Sequence, residues 1–379
     1  MKHEWELHEK LIGLPDSRAH LNTPVLSIDR AALDRNIAKM AQFANSQGVA
    51  LRPHAKTHKS VDIAKRQIAA GAIGICCAKL GEAEALAAGG IENILITSPV
   101  VSKPAVARLA MLNDRTNGLA VVIDHPDNVS MLQQAMGTRS LNVYIDVDPG
   151  IRRTGVASAE DALELHRCIE RAERLRYQGL QYYCGTQQHI SSYAQREGAI
   201  RDRTDYLRSV IDYLTKNGVT APSITGSGTG THRIDAELGV FTEWQVGSYA
   251  FMDQEYSGCE LTRDAVQPFE YALFVDARVV SANTRGMATI DAGIKALATD
   301  GGTPVVISGA PQGSTYRFMG DEHGAVVDPQ MKHAWKIGDL VRLAAPHCDP
   351  TVNLYDAYHV MDGDVLEAIW PVTARGRVR

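Results

Sequence analysis

The chain has 379 residues, 45% hydrophobic and 22% charged, with a formal net charge of -5. That is ordinary globular composition, enough for one large domain and a smaller one. Without a Lys/Arg block, a polyanion-binding or membrane-surface role has no support.

The first residues, Met1-Lys2-His3-Glu4-Trp5, have no apolar core of a secretory signal. No window reaches the roughly 18 uninterrupted apolar residues of a membrane span. The six cysteines (76, 77, 168, 184, 259 and 348) form no CxxC pair and no framework spacing. Reduced thiols in a cytoplasmic protein are the simplest account.

From about residue 24 to 250, strand-like and helix-like segments alternate. Expected strands cover 24–28, 50–55, 74–78, 93–97, 119–124, 141–147, 179–184, 223–225 and 243–247. Expected helices between them include 30–46, 60–70, 81–88, 103–112, 128–136, 158–172 and a long one over 192–217. Strands separated by helices of this length imply parallel βαβ units. About eight such units fit a closed (β/α)8 barrel, with an open doubly wound sheet as the alternative. The barrel domain is expected over 23–250. Beyond Met252, strand-like segments at 271–280, 286–290, 305–307, 340–343 and 365–369 predict a second, mostly β domain over 251–379. Residues 1–22 fall outside both patterns and are expected to pack on one domain or the other.

Catalytic groups of such a barrel sit at the C-terminal ends of its strands. Leu51-Arg52-Pro53-His54-Ala55-Lys56-Thr57-His58-Lys59 is the most informative of these ends. A strand puts alternate residues on opposite faces, so Arg52, His54 and Lys56 share one face. Lys56 closes that strand and Lys59 lies beyond it; a desolvated lysine can form a Schiff base. Arg153 lies in the segment Asp146–Gly155 at the end of the expected strand 141–147, where an arginine can pair with an anionic oxygen. Gln181, Tyr183 and Gly185 share a face at the next strand end, and His189 in the loop that follows is a candidate acid or base. Thr225-Gly226-Ser227-Gly228-Thr229-Gly230 alternates glycine with hydroxyl residues, a loop whose amides can close on an anion. Gln245, Ser248 and Tyr249 follow the last strand and can supply further donors. In the second domain His347 and Asp349 are two apart. On an extended segment they face one side and Cys348 the other, so an imidazole and a carboxylate can share a divalent ion or simply bond to each other.

These motifs together resemble the alanine racemase-like, fold-type III pyridoxal phosphate enzymes, in particular the branch of D-threonine aldolases and D-serine dehydratases. The resemblance runs over nearly the whole chain and is most specific at Arg52–Lys59. It implies Lys56 as the Schiff-base lysine, Gly226–Gly230 as the phosphate loop, Arg153 near the cofactor's phenolate oxygen and Tyr183 near its pyridine ring. It also implies a metal near the substrate's β-hydroxyl, held by His-x-Cys in the dehydratases and His-x-Asp in the aldolases. Here the ligands would be His347 and Asp349, which points to the aldolases. A carboxylate ligand suits Mn2+ or Mg2+, with Zn2+ and Ca2+ as alternatives. His189 resembles the aldolases' loop histidine. The implied activity is retro-aldol cleavage of D-threonine and related D-β-hydroxy-α-amino acids by a homodimer. A D-serine or D-3-hydroxyaspartate dehydratase using the same site, and a non-catalytic pyridoxal phosphate-binding protein, are the competing readings.

Overall fold

The computed structural model describes residues 4–379. Eight parallel strands form one sheet in the spatial order Ala50–Leu51, Glu243–Trp244, Ser223–Gly226, Leu175–Tyr182, Leu141–Asp146, Ala120–Ile123, Ile94–Ile96 and Ile75–Cys77. The sheet closes on itself. Beyond Leu51, a parallel bridge joins His54 to Cys76, with Ala55 N–H donating to Cys76 O and Cys76 N–H to Pro53 O, both at 2.8 Å. Closure excludes the open-sheet alternative. Ile94–Ile96 and Ala120–Ile123 are buried throughout, as expected where one face fills a barrel and the other meets helices. Cys76, Leu95, Ala120, Val122 and Tyr144 pack as a cluster of their own inside, while the larger core lies under the outer helices.

The barrel interior also holds a charge pair. Arg52 Nε and Nη2 donate to the two carboxylate oxygens of Glu243 at 2.9 and 3.0 Å, and Thr225 Oγ1 donates to the same carboxylate at 2.7 Å. A guanidinium out of water needs such a bidentate partner. The shared face of Arg52 and His54 is therefore the interior one, because both side chains are buried.

Strand Val25–Asp29, expected as the first barrel strand, departs from the sequence reading. It pairs antiparallel with Leu273–Thr284 (Val25 opposite Asp276) and parallel with Ala357–Asp362 (Ser27 opposite His359). Its place is inside the second, nine-stranded sheet. The error has a local cause: an apolar run that leads into helix Arg30–Ser46, capped by Asp29 on Ala32 N–H, reads like any βα unit. Nothing within it says which sheet it joins.

The rest of that sheet comprises Leu273–Thr284, Met287–Ile290, Val305–Ser308, Thr315–Phe318, Gly324–Val327, Leu340–Ala344, Ala357–Asp362 and Val365–Pro371. Five of these were expected; Thr315–Phe318, Gly324–Val327 and Ala357–Asp362 were not. The N-terminal segment packs on this sheet. Gly13 N–H donates to Leu366 O at 2.8 Å. Arg18 and Arg342 both hold the fully buried Asp276, each at 3.0 Å. Among the described residues, no helix is long and apolar enough to cross a membrane.

Candidate active site

A cavity of about 490 Å³ opens beyond the C-terminal ends of the barrel strands. Of the residues singled out from the sequence, His54, Lys56, Arg153, Gln181, Tyr183, Gly228, Thr229, Gln245 and Ser248 line it. Lys59 does not. Its ammonium is buried against the Glu82 carboxylate, so of the two candidates only Lys56 faces the cavity.

The loop that carries Lys56 is fixed by two buried histidines. His54 Nδ1 accepts from Lys56 N–H at 3.2 Å, so its proton sits on Nε2 and goes to Thr97 Oγ1 at 3.0 Å. Thr97 Oγ1 in turn donates to Cys77 O. His58 Nδ1 accepts from Ser60 N–H, and its Nε2 meets Gln67 Oε1, whose amide donates to Tyr249 Oη. Burial, then the neighbouring Lys56 charge, push the His54 imidazole down to about 3. Burial likewise lowers His58 to about 4. Both rings are neutral spacers.

Below the cavity runs a chain of side-chain amides and hydroxyls. Gln245 Nε2 donates to Thr225 Oγ1 at 2.9 Å and to Gln181 Oε1 at 3.2 Å, and Gln181 Nε2 donates to Asp146 Oδ1 at 3.0 Å. Thr154 Oγ1 donates to the other Asp146 oxygen at 2.7 Å. Burial raises Asp146 to about 6, against the pull of these two bonds. Thr225 thus lies in the floor, off the cavity wall.

The glycine loop divides in two. Gly226, Ser227 and Gly230 shape it without lining the cavity. A Cβ on Gly226 would lie 2.0 Å from Tyr182 O, and one on Gly230 would lie 2.1 Å from Gln188 O. Gly230 N–H donates to Gln188 Oε1 at 2.9 Å. Tyr249 is buried, and its amide donates to Thr229 Oγ1 at 3.0 Å. Gly228 and Thr229 face the cavity together with Gly247 and Ser248. Among the described residues the four amides of this group have no hydrogen-bond partner. Buried amides are almost always satisfied, so this cluster fits an anionic group such as a phosphate. On the opposite wall the Arg153 guanidinium lies 5.6 Å above the Tyr183 ring.

The second domain reaches the cavity through Asp349, whose Oδ2 is 3.0 Å from Lys56 Nζ in the same chain. The route is not the extended segment expected from the sequence. His347 is extended, but a short helix, Cys348–Val352, begins at the next residue. The expected divergence of Cys348 holds: its thiol is buried and donates to Met252 O. Asp253, fully buried, accepts from Cys348 N–H at 3.0 Å and Tyr256 N–H at 3.1 Å, tying this turn to the segment that leaves the barrel. For Lys56, the nearby Asp349 charge outweighs desolvation and raises the ammonium pKa. For Asp349, burial pushes upward, but Lys56 and His347 prevail and bring it down to about 2. Asp349 Oδ1 is buried and makes no hydrogen bond of normal geometry, with the buried Thr57 hydroxyl as the carboxylate's neighbour.

His189 and His347 flank Glu255, whose Oε2 lies 4.0 Å from His189 Nδ1 and 3.8 Å from His347 Nδ1. His347 Nδ1 is also 2.7 Å from Asp300 Oδ2. The His189 ring packs on Tyr256 with centroids 4.5 Å apart, and Tyr256 lines the cavity. Burial lowers the His189 pKa although Glu255 opposes it. In His347 burial is outweighed by Asp349 and Asp300, so its pKa is raised. Neither histidine lines the cavity itself; they stand at its rim with Asp349. Among the described residues, no group of three or more His, Cys, Asp or Glu side chains is placed to hold a metal.

Sequence reasoning missed Thr97, Asp253, Glu255, Tyr256 and Asp300. Thr97 ends an expected strand, and the strand-end rule applied there would have found it. Glu255 and Tyr256 lie on a four-residue helix, Gln254–Ser257, capped by Asp253, and Asp300 lies in a connecting segment; none of them belongs to a motif.

Residues 28–255 match the family model for the alanine racemase N-terminal domain, and residues 272–361 match that for a putative serine dehydratase domain. The chain is similar to a D-threonine aldolase of Arthrobacter sp., 38% identical over 95% of this chain and 94% of that one. It is similar also to a 3-hydroxy-D-aspartate aldolase of Paracoccus denitrificans, 36% identical over 97% of this chain and 95% of that one. The crystal structure of a D-threonine aldolase from Filomicrobium marinum superposes with a TM-score of 0.90 at 37% identity, covering 95% of this chain and 97% of the other.

Proposed function

Since the chain belongs to the alanine racemase N-terminal-domain family and pairs that domain with a putative serine dehydratase domain, we propose that it is a pyridoxal phosphate-dependent aldehyde-lyase. It cleaves D-threonine and related D-β-hydroxy-α-amino acids, 3-hydroxy-D-aspartate among them, to glycine and an aldehyde. Two aldolases of these substrates, each more than a third identical over nearly the full length, support this reading.

The residues around the cavity suit the cofactor. Lys56 would hold pyridoxal phosphate by its amine, the amides of Gly228, Thr229, Gly247 and Ser248 its phosphate, Arg153 its phenolate oxygen, and Tyr183 would lie beside its ring. The cofactor supplies the electron sink that lets a Cα–Cβ bond break. His347 and Asp349 would hold a divalent ion, Mn2+ or Mg2+ in preference to Zn2+ or Ca2+, which would acidify the β-hydroxyl. The buried Oδ1 of Asp349, without a hydrogen bond of normal geometry, fits that use. Its Oδ2, now 3.0 Å from Lys56 Nζ, would be free for the same use when that amine holds the cofactor.

The remaining work falls to the chain's own groups. His189, kept largely neutral by its surroundings, accepts the proton of the β-hydroxyl. Tyr256 backs that ring and closes one wall of the cavity against water. The Gln245–Gln181–Asp146 chain holds the cavity floor rigid. We take the enzyme to act as a homodimer in the cytoplasm; its unpaired cysteines support the latter.

The observation that carries this reading is the 3.0 Å approach of Lys56 and Asp349 from two different domains. It sets a lysine amine beside a carboxylate of the kind that binds hard ions, which supports cleavage next to a hydroxyl. The test is incubation of the pyridoxal phosphate-loaded protein with D- and L-threonine, with and without Mn2+, measuring glycine and acetaldehyde. Glycine and acetaldehyde from the D-isomer, dependent on the ion, are expected. Activity on L-threonine only, or ammonia and a keto acid in place of glycine, overturns the assignment.

A further inference from the structure

We infer that Asp300 is a positioning residue for the metal centre: it locks His347 in the tautomer and orientation that present Nε2 as the ligand. The inference rests on the reading of His347 and Asp349 as metal ligands and goes beyond it, because Asp300 lies off the cavity wall.

Asp300 Oδ2 lies 2.7 Å from His347 Nδ1, a normal hydrogen-bond length. A carboxylate can only accept, so Nδ1 carries the proton and Nε2 is the one ring nitrogen left to coordinate an ion. Glu255 is the other carboxylate near this nitrogen, but at 3.8 Å it is out of hydrogen-bond range. An ionised acceptor on the far nitrogen makes the coordinating nitrogen a better donor, and ligating histidines regularly have one.

A half-exposed aspartate beside a histidine is commonly an incidental surface contact. Here the backbone argues otherwise, because the loop that carries Asp300 is attached to the turn that carries the ligands. Ala298 N–H donates to Thr351 Oγ1 at 3.1 Å, and Thr351 Oγ1 donates to His347 O at 2.7 Å. On the other side of Asp300, a Cβ on Gly301 would fall 2.9 Å from Pro346 O and 3.1 Å from Glu255 Cγ. The loop therefore lies close against residue 346, with Asp300 between two points of attachment. Its carboxylate is held at His347 by the fold as well as by charge.

The test uses the pyridoxal phosphate-loaded enzyme stripped of metal with EDTA and titrated with Mn2+, reading the free ion by electron paramagnetic resonance. Asp300→Ala is expected to weaken Mn2+ binding by about 10- to 100-fold. Asp300→Asn, which keeps a hydrogen-bond acceptor, is expected to recover part of the loss. Heteronuclear NMR of the imidazole nitrogens should show His347 protonated on Nδ1 in the metal-free wild type and a tautomer mixture in Asp300→Ala. The visible spectrum of bound cofactor should be unchanged in both variants, which separates a local effect from misfolding. If Asp300→Ala binds Mn2+ within about threefold of wild type, the inference is wrong and the metal site stands. If the wild type binds no Mn2+, or His347→Ala binds it as tightly as wild type, the metal reading falls and the inference with it.

Discussion

Removing the Glu243 carboxylate would show how far the barrel interior depends on one buried ion pair. In Glu243→Ala, Arg52 loses its bonds at 2.9 and 3.0 Å and keeps only the Asn93 carbonyl. Arg52 is 9% exposed, so bulk water reaches it poorly once that partner is gone. Hydrogen bonds to charged groups contribute about 1.5–3 kcal/mol each, giving about 3–6 kcal/mol for the pair of bonds. Breaking one side of a buried ion pair costs about 3–5 kcal/mol. The two estimates overlap, and we expect about 4 kcal/mol, a large share of the roughly 5–15 kcal/mol that holds a domain folded. Replacing both charges, in Arg52→Met/Glu243→Leu, leaves neither charge of the pair without its partner and should cost less than Glu243→Ala alone. Urea unfolding of the cofactor-free protein, followed by tryptophan fluorescence, is a suitable assay. Trp244 is the neighbouring residue, fully buried and stacked on Phe43 with ring centroids 5.6 Å apart, so it reports on the barrel. The reasoning fails if Glu243→Ala costs less than about 1 kcal/mol, or if the double variant loses the sum of the two single changes.

Three further outcomes are expected. Borohydride reduction of the cofactor-loaded enzyme should fix the label on Lys56; a label on Lys59, which is buried against Glu82, would contradict the site. His189→Gln should lower kcat by about 10²- to 10⁴-fold with little change in cofactor binding, and a kcat close to wild type would remove His189 from the reaction. His54, held near 3 in the folded protein against an ordinary 6.5, contributes stability that is fully present above pH 6.5. That contribution declines as pH falls from there toward 3, with a slope of up to about 1.4 kcal/mol per pH unit. The His54 ring resonances should therefore not titrate between pH 8 and 5; a midpoint near the ordinary histidine value would show that the ring is not buried and neutral.

Much of the site was legible because its residues sit at strand ends, where local spacing dictates direction. Arg52 and His54 point into the barrel by strand parity: the regular strand is only Ala50–Leu51, but Arg52 N–H still donates to Trp244 O and His54 N–H to Val246 O. The glycine loop stands out in the sequence, but its division into cavity-facing amides and packed glycines depends on Gln188 and Tyr182, which no spacing within the loop encodes. His347 and Asp349 stand out by separation and residue type, but the helix that begins at Cys348 gives them a backbone path other than the extended one expected. Asp300 was invisible: its contact with His347 spans 47 residues between two connecting segments. Val25–Asp29 failed for the same reason at the scale of the sheet, since its partners lie some 250 to 330 residues downstream.

That strand also has a consequence for synthesis. Val25–Asp29 is translated before the barrel, yet one of its edges pairs with 273–276 and the other with 359–361. As the chain emerges from the ribosome, the strand must stay unpaired while the whole barrel is made, and its second edge is covered only once Ala357–Asp362 has followed. An unpaired apolar strand is a template for wrong partners. Cutting the chain after residue 250 would make that exposure permanent, so the barrel is not a separable module: it is a long excursion from a sheet that begins before it and is finished after it.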